Sequence, residues 1–179
     1  MQEKLQDGSV IHTDQIVQKR KPRAPVRGLG IVLILFAIDL IAKQYFIITN
    51  SSYGNWWFKF KLFYNEGIVF SLPVPNWVYL PIALVIFLIF ILLLTRAVKH
   101  DTASILGLMF VISGAGSNLL DRFVHGATID YLLFFDRSAI NIADIMIVVG
   151  VILFIRARNA DQKLGSHRRI KATSKDIFN

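Results

Sequence analysis

The chain has 179 residues, of which 54% are hydrophobic and none is cysteine, and its formal net charge at pH 7 is +8. The lack of cysteine excludes disulfides and thiolate chemistry. The apolar residues form long blocks, and the positive charge lies mostly at the two ends of the chain. This distribution favours a protein embedded in an anionic membrane, with nucleic-acid binding by the basic ends as the weaker alternative.

Four apolar segments are long enough, or nearly long enough, to cross a bilayer as helices. They are predicted at Leu29–Ile48, Trp77–Leu94, Ala103–Leu120 and Ile140–Ile155. Together they define one transmembrane domain over residues 29–156, flanked by basic tails at 1–28 and 157–179. The first tail is expected to stay uncleaved, because the apolar run that follows it exceeds the core of a signal peptide.

The distribution of Lys and Arg predicts the orientation. The residues before 29, the loop at 95–102 and the residues after 155 together carry 15 of the 20 Lys and Arg residues. The positive-inside rule therefore places both termini in the cytoplasm. Segments 49–77 and 121–139 then face the outside.

The first outer segment differs in kind from the spans. Trp56 and Trp57 suit a membrane–water interface. Apolar residues alternate with lysines over 58–62, which predicts a short strand, and a second strand is predicted at 68–71 after a turn. The expected fold is an all-α integral membrane protein with four transmembrane helices and a small extracytoplasmic β-hairpin at about 57–72. The segment 121–139 is expected to be a polar loop.

Two Asn–Asp pairs stand at the ends of apolar runs, Asn118 with Asp121 and Asn141 with Asp144. A spacing of three places both members on one face of a helix. Because successive spans alternate in direction, both pairs lie at the same membrane face. Two carboxylates in a partly desolvated site suit an aspartic peptidase, in which one is charged and the other protonated. A structural role as helix-end anchors is equally consistent with the spacing.

Asp39 and Lys43 lie four residues apart in the first span. This spacing favours an internal ion pair that makes burial tolerable, with a proton or ion path as the alternative. The alternative function is therefore a small proton-coupled carrier or an accessory membrane subunit. The four histidines are too scattered for a zinc peptidase, no metal or cofactor is predicted, and the small residues at 113–117 indicate close helix packing.

The motifs and their order resemble the lipoprotein signal peptidases, the bacterial type II signal peptidases, over about residues 29–156. The matching motifs are Asp39 with Lys43, Asn65–Ser71, Asn118–Arg122, Ile129–Tyr131 and Asn141–Asp144. The resemblance implies a multi-pass aspartic endopeptidase of the bacterial cytoplasmic membrane with a small extracytoplasmic β-cradle. Such an enzyme removes the signal peptide of a prolipoprotein just before a diacylglyceryl-modified Cys, at the outer leaflet, by activating a water molecule.

The resemblance also implies roles for single residues. Asp121 and Asp144 correspond to the catalytic pair. The residues expected to line the site and bind substrate are Asn65, Asn118, Arg122 and Asn141. The supporting residues are Asp39, Lys43 and Asp130. Prolipoproteins and membrane lipids are the implied partners, without a cofactor, and a monomer is expected.

The chain departs from the family pattern in two places. Ser117 stands where the family usually has Gly, and Ile68 and Val69 replace two alanines. Both changes add bulk near the site while leaving the catalytic groups in place. They are expected to affect local packing and the width of the lipid-binding groove.

Overall fold

The computed structural model describes residues 3–4, 10–11, 26–67, 75–100 and 104–177. Its four long helices are α1 (Val26–Thr49), α2 (Asn76–His100), α3 (Ile105–His125) and α4 (Ile142–Ile177). Each covers most of a predicted span and extends past at least one of its ends, and α4 runs far into the C-terminal tail. Two-residue strands β1 (Glu3–Lys4) and β2 (Val10–Ile11) pair near the N-terminus.

Burial in the helices is inverted relative to a soluble protein. Within the described residues, two stretches are long and apolar enough to cross a membrane, Gly28–Thr49 and Trp77–Val98. None of the most apolar part of the second stretch is buried. The charged Asp39 and Lys43 are instead 0% and 2% exposed. Apolar side chains outside and paired charges inside are typical of a protein surrounded by lipid.

The chain also forms a four-stranded antiparallel sheet in the order β3-β4-β5-β6. Its strands are β3 (Ser52–Gly54), β4 (Phe58–Asn65), β5 (Thr128–Phe134) and β6 (Ser138–Ile140). The predicted strand at β4 is confirmed, but it pairs with β3 and β5. The second predicted strand, at 68–71, lies outside the described residues.

The prediction of a polar loop at 121–139 is wrong. Helix α3 continues to His125 and ends at Gly126, whose φ of 74° is the left-handed conformation that suits a glycine helix cap. Strand β5 follows at once, and its first four residues are all buried. A strand covered on both faces lacks the polar–apolar alternation by which a strand is recognised in sequence.

Helices α3 and α4 pack in direct backbone contact. A Cβ atom built on Gly114 would lie 2.4 Å from the carbonyl oxygen of Ala143, and one on Gly107 would lie 2.6 Å from the amide nitrogen of Phe154. Gly150 faces the backbone of Gly107 equally closely. The close packing predicted for the small-residue segment is therefore confirmed at Gly114, and it brings the end of α3 beside the start of α4.

Candidate active site

The first turn of α4 is closed by a reciprocal pair of hydrogen bonds. The Asp144 amide donates to the Asn141 side-chain oxygen at 2.9 Å, and the Asn141 amide donates to the Asp144 carboxylate at 3.2 Å. This is a capping box with Asn141 as the N-cap and Asp144 three residues later. The predicted spacing of three therefore has a structural use, and it holds the Asp144 carboxylate at the positive end of the helix.

The first two backbone amides of α4, those of Ile142 and Ala143, donate hydrogen bonds to side chains of other elements. The Ala143 amide donates to Asp39 Oδ1 at 3.2 Å, and the Ile142 amide donates to the Tyr131 hydroxyl at 3.3 Å. Tyr131 in turn donates to Asp39 Oδ1 at 2.9 Å. Helix N-termini have amides without intrahelical partners, so this arrangement anchors α4 on α1 and β5. The sequence patterns predicted no separate role for Tyr131, whose hydroxyl bonds both Asp39 and the start of α4.

Lys43 joins two carboxylates. Its ammonium lies 2.8 Å from Asp39 Oδ2 and 2.7 Å from Asp121 Oδ2. Asp121 also accepts the Ile129 amide at 3.1 Å, and its exposed fraction is 5%. The predicted ion pair between Asp39 and Lys43 is present, and the structure adds Asp121 to it. Lys43 is the cation shared by these two carboxylates, so its removal would leave two buried carboxylates without the cation that pairs with them.

Asp39, Lys43 and Asp121 form an ion cluster. Two asparagine side chains connect this ion cluster to Asp144. Asn118 donates to Asp144 Oδ1 at 2.7 Å, and its own oxygen accepts from Lys43 at 3.1 Å and from Asn141 at 3.0 Å. These contacts fix which way the Asn118 amide points. The structure therefore brings Asn118, Asp121, Asn141 and Asp144 into one network, although the two aspartates are linked through Lys43 and Asn118 rather than directly.

A fourth carboxylate, Asp130 on β5, is linked to Asp144 through a single residue, Asn141. Its Oδ1 accepts from Asn141 Nδ2 at 2.7 Å, and its Oδ2 accepts from Asn65 at 2.9 Å. Asn65 reaches it because a β-bulge between Phe60 and Phe63 shifts the register of β4 on β5. Asn141 thus contacts both Asp130 and Asp144.

Burial raises the pKa of Asp130 to about 7, and the negative charge of Asp144 contributes in the same direction. Hydrogen bonds from Asn65 and Asn141 act against this rise. Burial and the neighbouring charge together disfavour the ionised form. Asp130 is therefore a carboxyl group that can hold a proton near neutral pH.

Arg122 holds the strand end that leads into the site. It donates to the Thr128 hydroxyl at 2.9 Å and to the backbone oxygens of Asn65 and Gly67. Its guanidinium also lies 3.8 Å from the centre of the Tyr79 ring. Arg122 is 3% exposed, so its observed contacts fix the turn after β4, while substrate binding remains a prediction for this residue.

A groove of about 400 Å³ lies between α1 and α3 beside the ion cluster. Lys43 and Asp121 line it together with His125, which is at the exposed end of α3 rather than in a loop. The remaining lining consists of the polar Gln44 and five apolar residues, Leu40, Ile41, Ile47, Leu120 and Val124. This groove gives Asp121 its limited access to the surface.

The chain is similar to known proteins over most of its length. The family model described as Signal peptidase (SPase) II, Peptidase_A8, matches residues 31–158. A lipoprotein signal peptidase of Helicobacter pylori (strain ATCC 700392 / 26695) is 36% identical over 130 residues, covering 69% of this chain and 80% of the relative. The lipoprotein signal peptidase of Helicobacter acinonychis (strain Sheeba) is 37% identical over 153 residues, covering 80% and 92%.

Solved structures share the fold. A structure described as a bacterial membrane enzyme, at 2.3 Å resolution, superposes with a TM-score of 0.63 at 21% identity, covering 77% of this chain and 90% of the other. A second, at 1.9 Å resolution, gives 0.60 at 20% identity. The sequence match spans all four helices and the sheet that carry the carboxylate network. The chain belongs to the signal peptidase II family and is a membrane peptidase.

Proposed function

We propose that the chain removes the signal peptide from diacylglyceryl-modified prolipoproteins, cleaving just before the lipidated Cys by an aspartic mechanism. Its relatives carry the name lipoprotein signal peptidase. The observation that carries the mechanism is the link between Asp130 and Asp144 through Asn141. Two carboxyl groups of different character in one site are what acid–base hydrolysis of an amide requires.

The pair Asp121 and Asp144 predicted from the sequence remains one candidate, and we propose Asp130 as the other candidate for the partner of Asp144 because Asn141 links the two. Asp121 lies in an ion pair with Lys43 at 2.7 Å, and this positive charge offsets part of the cost of burying the carboxylate. Within the described residues, the hydrogen bonds of Asp130 come from the neutral amides of Asn65 and Asn141. Asp121 lines the groove between α1 and α3, and this access to the surface keeps it a candidate for the partner of Asp144.

The hydrogen-bond donors around Asp144 and Asp130 suggest a catalytic role for each carboxyl group. Asp144 accepts from Asn118 and from the Asn141 backbone at the N-terminus of α4, and hydrogen-bond donors at a helix N-terminus suit a negatively charged side chain. Asp144 takes a proton from water as the water oxygen attacks the scissile carbonyl carbon. Asp130 gives its proton to the carbonyl oxygen. On collapse of the tetrahedral intermediate, Asp144 passes its proton to the leaving nitrogen and Asp130 recovers its own.

The membrane arrangement is part of the proposal. All four helices cross the bilayer, both termini lie in the cytoplasm, and residues 29–156 form the peptidase domain between basic tails. The sheet and the start of α4 then lie near the outer leaflet. The inverted burial of the helices supports this, as do the aromatic residues exposed on the sheet, Trp56, Trp57, Phe60, Phe63 and Tyr64. The protein acts as a monomer among membrane lipids.

The direct test uses the purified full-length chain in detergent. A synthetic precursor peptide carrying an S-diacylglyceryl Cys is incubated with it, and the released signal segment is identified by mass spectrometry. Cleavage before the lipidated Cys is expected for the wild type. Asp144→Asn is expected to abolish it while leaving insertion and folding intact, and the same peptide without lipid serves as the control substrate.

The alternative function is a proton-coupled carrier or accessory subunit that uses Asp39 and Lys43. It requires Asp39 to matter more for function than Asp144, and it leaves the lipidated precursor intact. The contacts of Asp39 argue against a carrier, because both of its oxygens are engaged in holding α4, Lys43 and Ser117. Failure of the wild-type protein to cleave the precursor would favour this alternative.

A further inference from the structure

Ser117, where the chain departs from its family, forms a closed triangle with the ion cluster. Its hydroxyl donates to Asp39 Oδ2 at 2.6 Å and accepts from Lys43 Nζ at 2.8 Å, while Lys43 and Asp39 lie 2.8 Å apart. Ser117 is 0% exposed. A glycine at this position would contribute neither hydrogen bond, so the triangle is specific to a chain with a hydroxyl here.

The triangle leaves Lys43 with more acceptors than protons. Its ammonium has four oxygen neighbours, Asp121 at 2.7 Å, Asp39 and Ser117 at 2.8 Å, and Asn118 at 3.1 Å. An ammonium group carries three protons. At least one proton is therefore shared, and the longest contact, to the neutral oxygen of Asn118, is the weakest of the four.

The contact that Ser117 weakens leads directly to Asp144. Asn118 accepts from Lys43 with its oxygen and donates to Asp144 with its nitrogen at 2.7 Å. A stronger donor on the amide oxygen polarises the amide and makes its N–H a better donor, because linked hydrogen bonds reinforce each other. Fewer competing acceptors on Lys43 would therefore strengthen the hydrogen bond that Asp144 receives.

We propose that Ser117 is a positioning residue that tunes Asp144 through Lys43 and Asn118, by occupying a Lys43 proton that Asn118 would otherwise receive. This inference rests on the proposed peptidase function. Asp39 and Lys43 on α1 and Asp130 on β5 interact electrostatically with Asp144, and Asp121 on α3 joins them through Lys43. Removal of the Ser117 hydroxyl takes a hydrogen-bond donor from Asp39 and an acceptor from Lys43. It leaves the direct hydrogen bonds of Asp130 and Asp144 in place, so a change in the pH dependence reports the redistribution of hydrogen bonds around Asp39 and Lys43.

The test compares Ser117→Ala and Ser117→Gly with wild type and with Ser113→Ala, the same substitution one turn earlier on α3. The full chain in detergent is assayed on the lipidated precursor from pH 4 to 9, with kcat and KM separated and thermal unfolding recorded. Both Ser117 variants are expected to move the acid-side midpoint of kcat to lower pH by about half a unit. KM is expected to stay within about twofold, because the substrate contacts are unchanged.

Each result decides a separate question. A wild type that does not cleave overturns the proposed function, whatever the variants do. A wild type that cleaves, with superimposable profiles for both Ser117 variants or an equal shift in Ser113→Ala, overturns the role of Ser117. A shift to higher pH overturns it as well, since it would mean that the hydroxyl strengthens the hydrogen bond to Asp144. Two variants are used because glycine also loosens the helix, whereas alanine removes the oxygen alone.

Discussion

Replacement of Asp130 by Asn should abolish cleavage and at the same time make the protein more stable at alkaline pH. Asp130 is 0% exposed, and burial raises its pKa from 3.8 to about 7. The folded state therefore holds a proton that the unfolded chain has lost between about pH 4 and pH 7. Because the folded state binds more protons over this range, its stability falls as the pH rises through it.

The size of the effect follows from the shift in pKa. A difference of about three units corresponds to about 4 kcal/mol over the whole range, at about 1.4 kcal/mol per unit. Between pH 5 and pH 8 the free energy of unfolding of the wild type should fall by about 2.5 kcal/mol, because part of the total decrease occurs below pH 5. Asn cannot ionise, so Asp130→Asn should gain this amount relative to wild type over the same interval, or about 5–10 °C in Tm for a chain of this size.

The assay is thermal unfolding in detergent at pH 5, 6, 7 and 8, together with cleavage of the lipidated precursor. Asp136→Asn is the matched control, because Asp136 is an exposed aspartate in the turn between β5 and β6. We expect kcat to fall about a hundred- to ten-thousand-fold in Asp130→Asn. Wild-type kcat should decline as the pH rises through about 7, where Asp130 loses its proton.

Two outcomes would refute the reasoning about Asp130. If its Asn variant and the wild type lose stability in parallel from pH 5 to pH 8, Asp130 does not carry a proton in the folded protein. If Asp130→Asn keeps a wild-type kcat, Asp130 is not a member of the catalytic pair. Stability gained together with activity lost is the combination that a structural role for Asp130 does not produce.

Two further substitutions separate chemistry from packing. Asp121→Asn should lower Tm and leave measurable kcat per folded molecule, because it exchanges the 2.7 Å ion pair with Lys43 for a weaker neutral contact; a variant of wild-type stability without activity would place Asp121 in the catalytic pair. Gly114→Ala should cost about 1–3 kcal/mol, since its Cβ would lie 2.4 Å from the Ala143 oxygen. Gly116→Ala is the control, because its Cβ would meet the Phe87 ring at an ordinary 3.5 Å; equal losses of Tm in the two would contradict the close helix contact.

The sequence predicted the helices well because their apolar runs are long and uniform. It also predicted that the two Asn–Asp pairs meet, since alternation of the spans brings Asn118 and Asn141 to one face. It could not predict that Asn141 links Asp130 to Asp144. That depends on β5, which has no alternating pattern because both of its faces are covered. The register of β5 on β4, with its bulge at Phe60/Phe63, then brings Asp130 to Asn65.

Lys43 shows a second limit of the sequence. A spacing of four explains its pairing with Asp39, and a helical pattern reveals nothing about a partner on another helix. The ion pair with Asp121 depends on the packing of α1 against α3. Lys43 and Asp121 lie 78 positions apart along the chain. The same limit applies to Ser117. A serine in a small-residue segment predicts close helix packing, but its hydroxyl gains hydrogen-bond partners only because α1 packs against α3.

The two roles that the spacing left open for Asp144, anchor and reactive group, are compatible in this geometry. As the third residue of a capping box, Asp144 is held by the Asn141 amide through one oxygen. Its other oxygen accepts from Asn118. A carboxylate fixed in this way needs little reorganisation to receive a proton, which is how preorganised polar groups lower a barrier. The cap therefore prepares Asp144 for chemistry, and substitutions that loosen the start of α4 should reduce kcat before they unfold the protein.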